Sequence, residues 1–256
     1  HLSLRRQRQM CIRDRYYALG VVPASVIIAL MVALLLNQGV KLLGLFRTIY
    51  FLPVITSIIA VSMVWKWIYH PTVGLANHLL TLVGLPPQHW LEEWRGIFEM
   101  LLGVELPGIL KGPSLALVSV MIMSIWKGLG YNVVIFLAGL QNIPKHYYEA
   151  AKIDGANSVQ CFFNITLPML SPTTFYVLIM TTITSFQVFA PVWMMTGPPP
   201  GAPLGTTNVL VYHLYDNAFN FSRYGYASAV AFVLFILVLG LTILQKVYGE
   251  RMVHYG

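Results

Sequence analysis

The sequence predicts an all-α membrane protein, a polytopic transmembrane helical bundle with about five spans. Two observations support this fold class. Of the 256 residues, 57% are hydrophobic and only 10% are charged, and the mean hydropathy of +0.69 is above that of an ordinary soluble domain. Apolar runs also recur that are long enough to cross about 30 Å of hydrocarbon at about 1.5 Å per residue.

The order of apolar and polar segments predicts one transmembrane domain over residues 16–248, followed by a cytoplasmic tail over residues 249–256. The predicted spans are residues 16–36, 45–69, 114–140, 169–195 and 225–247. Residues 70–113 are amphipathic, with Pro86, Pro87 and four glutamates, and are predicted to form an extracytoplasmic segment with short helices.

Residues 141–168, which we call the bracket, form a polar island between two apolar runs. Pro144 suits the start of a helix, and Gly155 can adopt the left-handed conformation that ends one. Asn157 or Ser158 can cap a second helix, which Pro168 would kink or end. The bracket is therefore predicted to be two short helices joined by a turn.

The first of these helices has the chemistry of a docking surface. Ala150 and Ala151 are small enough to let another surface approach the backbone closely. Glu149 beside them offers a carboxylate to an arginine or lysine of a partner.

The bracket also resembles a known signature. Glu149-Ala150-Ala151, three residues, Gly155, nine residues, Ile165, one residue and Leu167-Pro168 are similar to the EAA motif of permease subunits of bacterial binding-protein-dependent ABC importers. Residues 45–53 and 64–77 resemble the carbohydrate and sugar-phosphate branch of this family, which is maltose-transporter-like. The other interpretation of the bracket is a surface helical hairpin in a different membrane protein.

This resemblance implies a function, a location and partners. It implies a multi-pass permease of the bacterial cytoplasmic (inner) membrane that imports a sugar or sugar derivative by alternating access. The implied partners are a second, non-identical permease, two cytoplasmic ATPases that bind ATP and Mg²⁺, an extracytoplasmic solute-binding protein and membrane lipid. The chain itself would bind no cofactor. The residues implied to couple it to the ATPases are Glu149, Ala150, Ala151, Asp154, Gly155, Ile165, Leu167 and Pro168.

Loop charges support a cytoplasmic bracket, because the loops on its side of the membrane carry most of the lysines and arginines. Residues 1–15 conflict with this orientation, since five arginines would then lie outside. They are Arg5, Arg6, Arg8, Arg13 and Arg15. Since permeases of this family usually cross six times, we expect a first span to be missing and this basic leader to be foreign to the native sequence.

Polar side chains beside aromatic rings suggest a path for the solute, because sugars need both hydrogen bonds and stacking surfaces. Lys127 lies inside a predicted span, where an ionisable group is costly unless it faces protein or water. The proposed path residues are Lys127, Tyr131, Asn132, Ser185, Gln187, Phe189 and Trp193. Packing within the core, and for Lys127 a bond to helix carbonyls, would explain the same residues.

Other functions find little support in the sequence. It contains no phosphate-binding loop for ATP, no metal-ligand spacing among its histidines, and no basic stripe with aromatics for nucleic acid, despite a net charge of +7. Cys11 and Cys161 are far apart and indicate neither a disulfide nor a metal site. A secondary transporter would need acidic residues inside spans, and a membrane enzyme would need a clustered polar site. An importer of amino acids or phosphate is the nearer alternative.

Overall fold

The computed structural model describes residues 2–38, 43–104, 111–199 and 201–249, and their regular elements are helices. The predicted all-α fold is confirmed. The α-helices are α1 (Leu2–Asn37), α2 (Leu43–Ile55), α3 (Ile58–Ile68), α4 (Leu75–Leu82), α5 (Ile97–Leu102), α6 (Leu115–Gln141), α7 (Lys145–Ile153), α8 (Ser158–Cys161), α9 (Leu167–Met169), α10 (Ser171–Phe186), α11 (Ala190–Met195), α12 (Leu210–Tyr215) and α13 (Tyr224–Gly249). Turns of π-helix occupy Phe162–Thr166 and Asp216–Asn220.

Three helices of the described residues are long and apolar enough to cross a membrane. They are Met10–Asn37, Leu115–Gln141 and Tyr224–Gly249, and they cover three of the five predicted spans. Two interrupted helix pairs raise the number to five if each pair counts as one span. Of the predicted tail, only Gly249 lies within the described residues.

The predicted span 45–69 is interrupted. Its first part, α2, ends at Ile55, and α3 begins at Ile58 with Ser57 at its N-cap. Pro53 lies inside α2, near this break. A proline has no N–H to donate and its ring clashes with the preceding turn, which favours a break here. The sequence predicted one continuous span over residues 45–69.

The predicted span 169–195 is also interrupted. Helix α10 begins at Ser171 and ends at Phe186, and α11 begins at Ala190. Pro191 cannot donate a hydrogen bond to the preceding turn, which favours the interruption between α10 and α11. On the other side, residues Ser158–Met169 meet α10 at an angle of 63°.

The predicted basic leader is continuous with the first span, since α1 runs from Leu2 to Asn37. Met10 and Asp14 are buried. Both carboxylate oxygens of Asp14 accept from the backbone N–H of Leu210, at 3.3 Å, where α12 begins. The structure therefore gives the end of the leader a packing role that the sequence did not suggest.

The chain divides into two compact units. Unit 1 comprises residues 1–21, 56–127 and 184–238, and its core includes Tyr17, Leu117 and Val192. Unit 2 comprises residues 22–55, 128–183 and 239–256, and its core includes Phe136 and Leu170. The bracket belongs to unit 2.

Two hydroxyl groups in α10 bond within their own helix. Thr181 and Thr182 donate to the carbonyls of Val177 and Leu178, four residues earlier, at 2.6 and 2.7 Å. The hydroxyl of Thr182 also accepts from Nε2 of Gln245 at 2.8 Å. Thr182 therefore also links α10 to α13.

Candidate functional site

The first helix of the bracket, α7, ends in a fully hydrogen-bonded turn at Gly155. The N–H of Ala156 donates to the carbonyl of Ala151 at 2.9 Å, and the N–H of Gly155 donates to Lys152 at 3.1 Å. This pair of bonds is the Schellman motif, which needs a left-handed residue at its centre. Gly155 supplies it with φ of +80°. The predicted left-handed conformation is confirmed.

The second helix begins immediately afterwards, at a capping box. The side chain of Asn157 accepts from the N–H of Gln160 at 2.8 Å, and the side chain of Gln160 accepts from the N–H of Asn157 at 2.8 Å. Of the two predicted caps, Asn157 is therefore the one used. Because the Schellman turn and the capping box adjoin, the polypeptide between the helices has little freedom.

The bracket passes Pro168 without ending there. The residues Phe162–Thr166 form a π-turn, in which the N–H of Leu167 donates to the carbonyl of Phe162. The helix α9 then carries Pro168 to Met169, and the direction changes at Leu170. A π-turn adds a residue to the helix and is frequent at functional sites. The helix therefore ends at Met169, one residue beyond Pro168, where the sequence predicted a kink or an end.

A hydrogen bond joins the two arms of the bracket. The hydroxyl of Tyr148 on α7 lies 2.9 Å from the hydroxyl of Thr166 in the π-turn, and Thr166 is buried. Tyr148 and Ile165 also pack against the core of unit 2, which includes the buried Ile143. The bracket is thus attached to the core of its own unit at both arms.

The residues predicted to couple the chain to ATPases lie on this attached bracket. Glu149, Ala150, Asp154 and Gly155 are exposed, and Ala151 is half-buried. Within the part of the chain that the structure describes, no ion pair involves Glu149. Its carboxylate is therefore available to a partner. Leu167 is partly exposed, whereas Ile165 and Pro168 are half-buried and support the bracket from within.

Sequence reasoning missed the apolar part of this surface. Ile153 is 87% exposed immediately before the turn, and Val159 and Phe163 are 63% and 59% exposed on the second arm. Tyr147 adds a further exposed ring. Apolar residues this exposed on both arms of an ordered bracket indicate a contact surface. In the sequence, the one sign of this surface was Ile153, an apolar residue directly before the turn residues Asp154 and Gly155.

In unit 1, two of the predicted path residues belong to a cluster of aromatic rings. The rings of Phe189 and Trp193 lie 5.7 Å apart, and that of Tyr215 lies 4.8 Å from each. Tyr212 and Phe219 extend the cluster, at 5.8 Å from Trp193 and 4.8 Å from Tyr215. These distances are typical of attractive ring pairs. The contribution of residues 212–219 was not predicted.

The other path residues of unit 1 differ in their surroundings. Lys127 donates from Nζ to the carbonyl of Thr56 at 2.7 Å, in the break between α2 and α3. This hydrogen bond agrees with the alternative interpretation of Lys127, in which the side chain bonds to backbone carbonyls. Ser185 is buried near the end of α10, and Gln187 is exposed just beyond it.

Unit 2 contains the two remaining path residues, Tyr131 and Asn132. The hydroxyl of Tyr131 lies 3.5 Å from that of Tyr176, and both rings are nearly half exposed. Asn132 is buried. The pair of tyrosine hydroxyls thus offers polar groups at the surface of this unit.

In the predicted extracytoplasmic segment, two ion pairs lie within the described residues. Arg95 donates to both carboxylate oxygens of Glu93 at 3.0 Å, and these hydrogen bonds lower the pKa of Glu93 below its usual value. Lys111 lies 3.1 Å from the buried Glu99. Over the described ranges, no group of three or more His, Cys, Asp or Glu side chains could hold a metal ion.

These features describe an all-α membrane protein with an ordered polar bracket between two apolar segments. Residues 22–254 match the family described as the binding-protein-dependent transport system inner membrane component. The chain belongs to this family. It is therefore a permease component of a system that works with a solute-binding protein.

Similar proteins agree with this assignment. The probable ABC transporter permease protein YesP of Bacillus subtilis is 36% identical over 93% of this chain and 71% of its own length. The sn-glycerol-3-phosphate permease protein UgpA of Pectobacterium atrosepticum is 30% identical over 90% of this chain and 71% of its own. The trehalose/maltose permease protein MalF of Thermococcus litoralis is 33% identical over 90% and 70%.

A solved structure supports the fold. A bacterial alginate ABC transporter in complex with an alginate pentasaccharide-bound periplasmic protein has a chain that superposes with a TM-score of 0.77. The match covers 97% of this chain and 78% of the other, at 22% identity.

The hydrogen bond between Tyr148 and Thr166 should stabilise the second arm of the bracket. We expect Tyr148→Phe to keep the packing of the ring. The free energy that holds the second arm in place should fall by about 1 kcal/mol, the usual net contribution of one hydrogen bond. Hydrogen exchange of residues 158–166, measured by mass spectrometry, should then become about fivefold faster.

Tyr147→Phe is the matched control, because Tyr147 is an exposed neighbour on the same helix. It should leave exchange in residues 158–166 unchanged. Equal exchange in the wild type and Tyr148→Phe would mean that the hydroxyl contact does not hold the two arms together.

Proposed function

We propose that the chain is the permease subunit of an ATP-driven importer of a sugar or sugar derivative, and that it crosses the bacterial cytoplasmic membrane several times. The observation that carries the proposal is the similarity to permeases named for sn-glycerol-3-phosphate and for trehalose/maltose, over 90% of this chain in both cases. The aromatic cluster of unit 1 supports it, since sugar rings present C–H faces that stack on aromatic side chains.

The proposed complex contains a second, non-identical permease, two cytoplasmic ATPases and an extracytoplasmic solute-binding protein. ATP and Mg²⁺ would bind to the ATPases, and this chain would bind no cofactor. The bracket is the proposed contact with one ATPase. Glu149 supplies its charge, and the exposed Ile153, Val159 and Phe163 supply apolar area on both arms.

The bracket suits this role because it is rigid. Alternating access requires that the free energy of the assembly differ between inward-open and outward-open states, and ATP binding changes that difference. A loop that deformed would absorb the displacement of the ATPase. The Schellman turn, the capping box and the Tyr148–Thr166 bond all oppose such deformation.

Uptake by the purified complex tests the proposed substrate class. The complex, reconstituted in vesicles with its binding protein, would be offered labelled mono- and oligosaccharides, sugar phosphates, amino acids and phosphate. We expect ATP-dependent accumulation of a sugar or sugar phosphate. Accumulation of an amino acid or of phosphate alone would contradict the substrate class and leave the importer mechanism standing.

Substitutions in the bracket should separate attachment from coupling. Glu149→Ala removes one partner of a proposed charge pair, which can cost about 2 kcal/mol and weaken ATPase attachment about thirtyfold. Gly155→Val forces a β-branched residue into a left-handed conformation, at about 1–2 kcal/mol. We expect this variant to attach but to lose uptake and solute-stimulated ATP hydrolysis.

Gly155→Asn is the matched control, because asparagine adopts the left-handed conformation more readily than other residues with a side chain. An added Cβ at Gly155 would meet no atom within 4 Å, so the effect of valine is conformational rather than steric. Gly155→Asn should retain most uptake. Wild-type attachment, stimulation and uptake in both Glu149→Ala and Gly155→Val would remove the bracket from the coupling mechanism.

The proposed solute path predicts a second set of phenotypes. We expect Gln187→Ala and Trp193→Ala to reduce solute affinity or uptake up to about tenfold, because a hydrogen bond from the amide or a contact with the ring contributes about 0.5–1.5 kcal/mol. Trp193→Phe should retain part of the activity, because it keeps an aromatic face beside Tyr215. Uptake kinetics and subunit ratios in the purified complex would be measured together.

Phe235→Ala provides the control for this set, since Phe235 is 60% exposed on α13, outside the aromatic cluster. It should leave uptake unchanged. If Gln187→Ala and Trp193→Ala assemble and transport like the wild type, these side chains contribute only to packing.

A further inference from the structure

One half of the predicted extracytoplasmic segment is devoid of charge. Residues 70–91 contain no Asp, Glu, Lys or Arg, although the segment carries α4 and exposes much of its surface. The next residues differ sharply, because Glu92, Glu93, Glu99 and Glu105 follow within 14 positions, the last of them outside the described residues. The two halves are therefore suited to different surroundings.

The helix α4 has an apolar face directed away from the protein. Ala76 packs against the core of unit 1, and Asn77 is buried beside it. Leu75, Leu79 and Leu82 are 47%, 54% and 70% exposed. Their spacing of four and three residues places them along one side of the helix. We call these three residues the leucine stripe.

The leucine stripe cannot turn inward, because Asn77 fixes the orientation of α4. Its Nδ2 donates to the carbonyls of Pro71 and Gln88 at 2.8 and 2.9 Å. Its Oδ1 accepts from the N–H of Gln88 at 3.0 Å and from Nε1 of Trp90 at 2.8 Å. These four bonds use both donors and both lone pairs of the amide. Rotation of α4 would break bonds in a buried site.

The chain also holds α4 near the membrane. It begins seven residues after Ile68, the end of an interrupted helix pair that is apolar enough to be a span. The connection is compact, because His70 N–H donates to Trp67 and Gly74 N–H donates to His70. Trp67 is 57% exposed at the end of α3, where an indole suits the headgroup level of a bilayer.

We propose that α4 is an interfacial anchor, with the leucine stripe inserted into the headgroup and acyl boundary of the bilayer that the chain spans. Val83 and Leu85 extend the inserted surface, at 79% and 52% exposure. His78 shares the outward face, and its amphipathic ring can remain at the headgroup level. Glu92, which begins the acidic half, is exposed and stays in water.

Contact with lipid explains the uncharged, apolar surface of residues 70–91 better than contact with a soluble protein does. A partner that leaves after each transport cycle would return the leucine stripe, Val83 and Leu85 to water, where such patches promote aggregation. Protein interfaces also carry a polar rim enriched in arginine and aromatic residues. Residues 70–91 offer no charged side chain for such a rim. A bilayer, in contrast, is always present and needs no charge partner.

Quenching by spin-labelled lipid tests this anchor independently of the proposed sugar transport and ATPase coupling. Single cysteines would replace Leu79 and Leu82 in a chain whose Cys11 and Cys161 are serine, and each would carry a bimane fluorophore. The matched controls are Thr81→Cys, exposed on another side of α4, and Glu92→Cys, exposed in the acidic half. The complex would be placed in nanodiscs of phosphatidylethanolamine and phosphatidylglycerol, with or without doxyl-labelled phosphatidylcholine.

We expect the doxyl lipid to quench positions 79 and 82 at least about threefold more strongly than positions 81 and 92, and aqueous iodide to show the reverse order. Iodide quenching of positions 79 and 82 as strong as that of position 92 would place the leucine stripe in water and overturn the proposal. Protection from both quenchers would show that another subunit covers the stripe and would equally overturn it, as would equal lipid quenching at all four positions.

Discussion

Backbone groups that lose their helical partners inside a membrane must find others within the protein, and this constraint governs the interruptions of the spans. The carbonyl of Thr56, in the break after α2, accepts a hydrogen bond from Lys127. In the break after α10, the N–H of Gln187 donates to the carbonyl of Thr184 at 3.2 Å. Each interruption is therefore a defined conformation rather than a loose segment. Substituting Lys127 would affect the break at Thr56 as well as any solute nearby.

Helix-capping preferences predicted the turn of the bracket. They did not predict the contacts between residues distant in the sequence that make the bracket rigid. Gly155 and Asn157 were identified because a left-handed C′ residue and an N-cap are set by the residues themselves. The bond between Tyr148 and Thr166 joins residues 18 positions apart, and it depends on the path of the chain through the π-turn. No spacing in the sequence marks such a pair. The all-α fold followed from composition, whereas the two broken spans did not, because hydropathy does not distinguish a kink at proline from a break.

The sequence also did not show which apolar side chains are exposed. An isoleucine or leucine is written with the same letter whether it fills a core or faces outward, so Ile153 and the leucine stripe could not be recognised before their burial was known. In both cases ordered hydrogen bonds hold the apolar side chains outward. The Schellman turn does so for Ile153, and Asn77 does so for α4. Polar networks here determine where apolar contact area is presented.

The two helices that adjoin the bracket differ in continuity, and this difference bears on the proposed mechanism. On one side, α6 is unbroken for 27 residues, about 40 Å at the rise of an α-helix. On the other, α10 ends after 16 residues at Phe186, and Gln187 and Phe189 lie in the short connection to α11. A displacement of the bracket would pass along α6 as along a rod. The connection at residues 187–189 can instead absorb a change of direction, as hinges do at the ends of secondary-structure elements. Under the proposed function, the residues that change orientation most would then include two that are proposed to contact the solute.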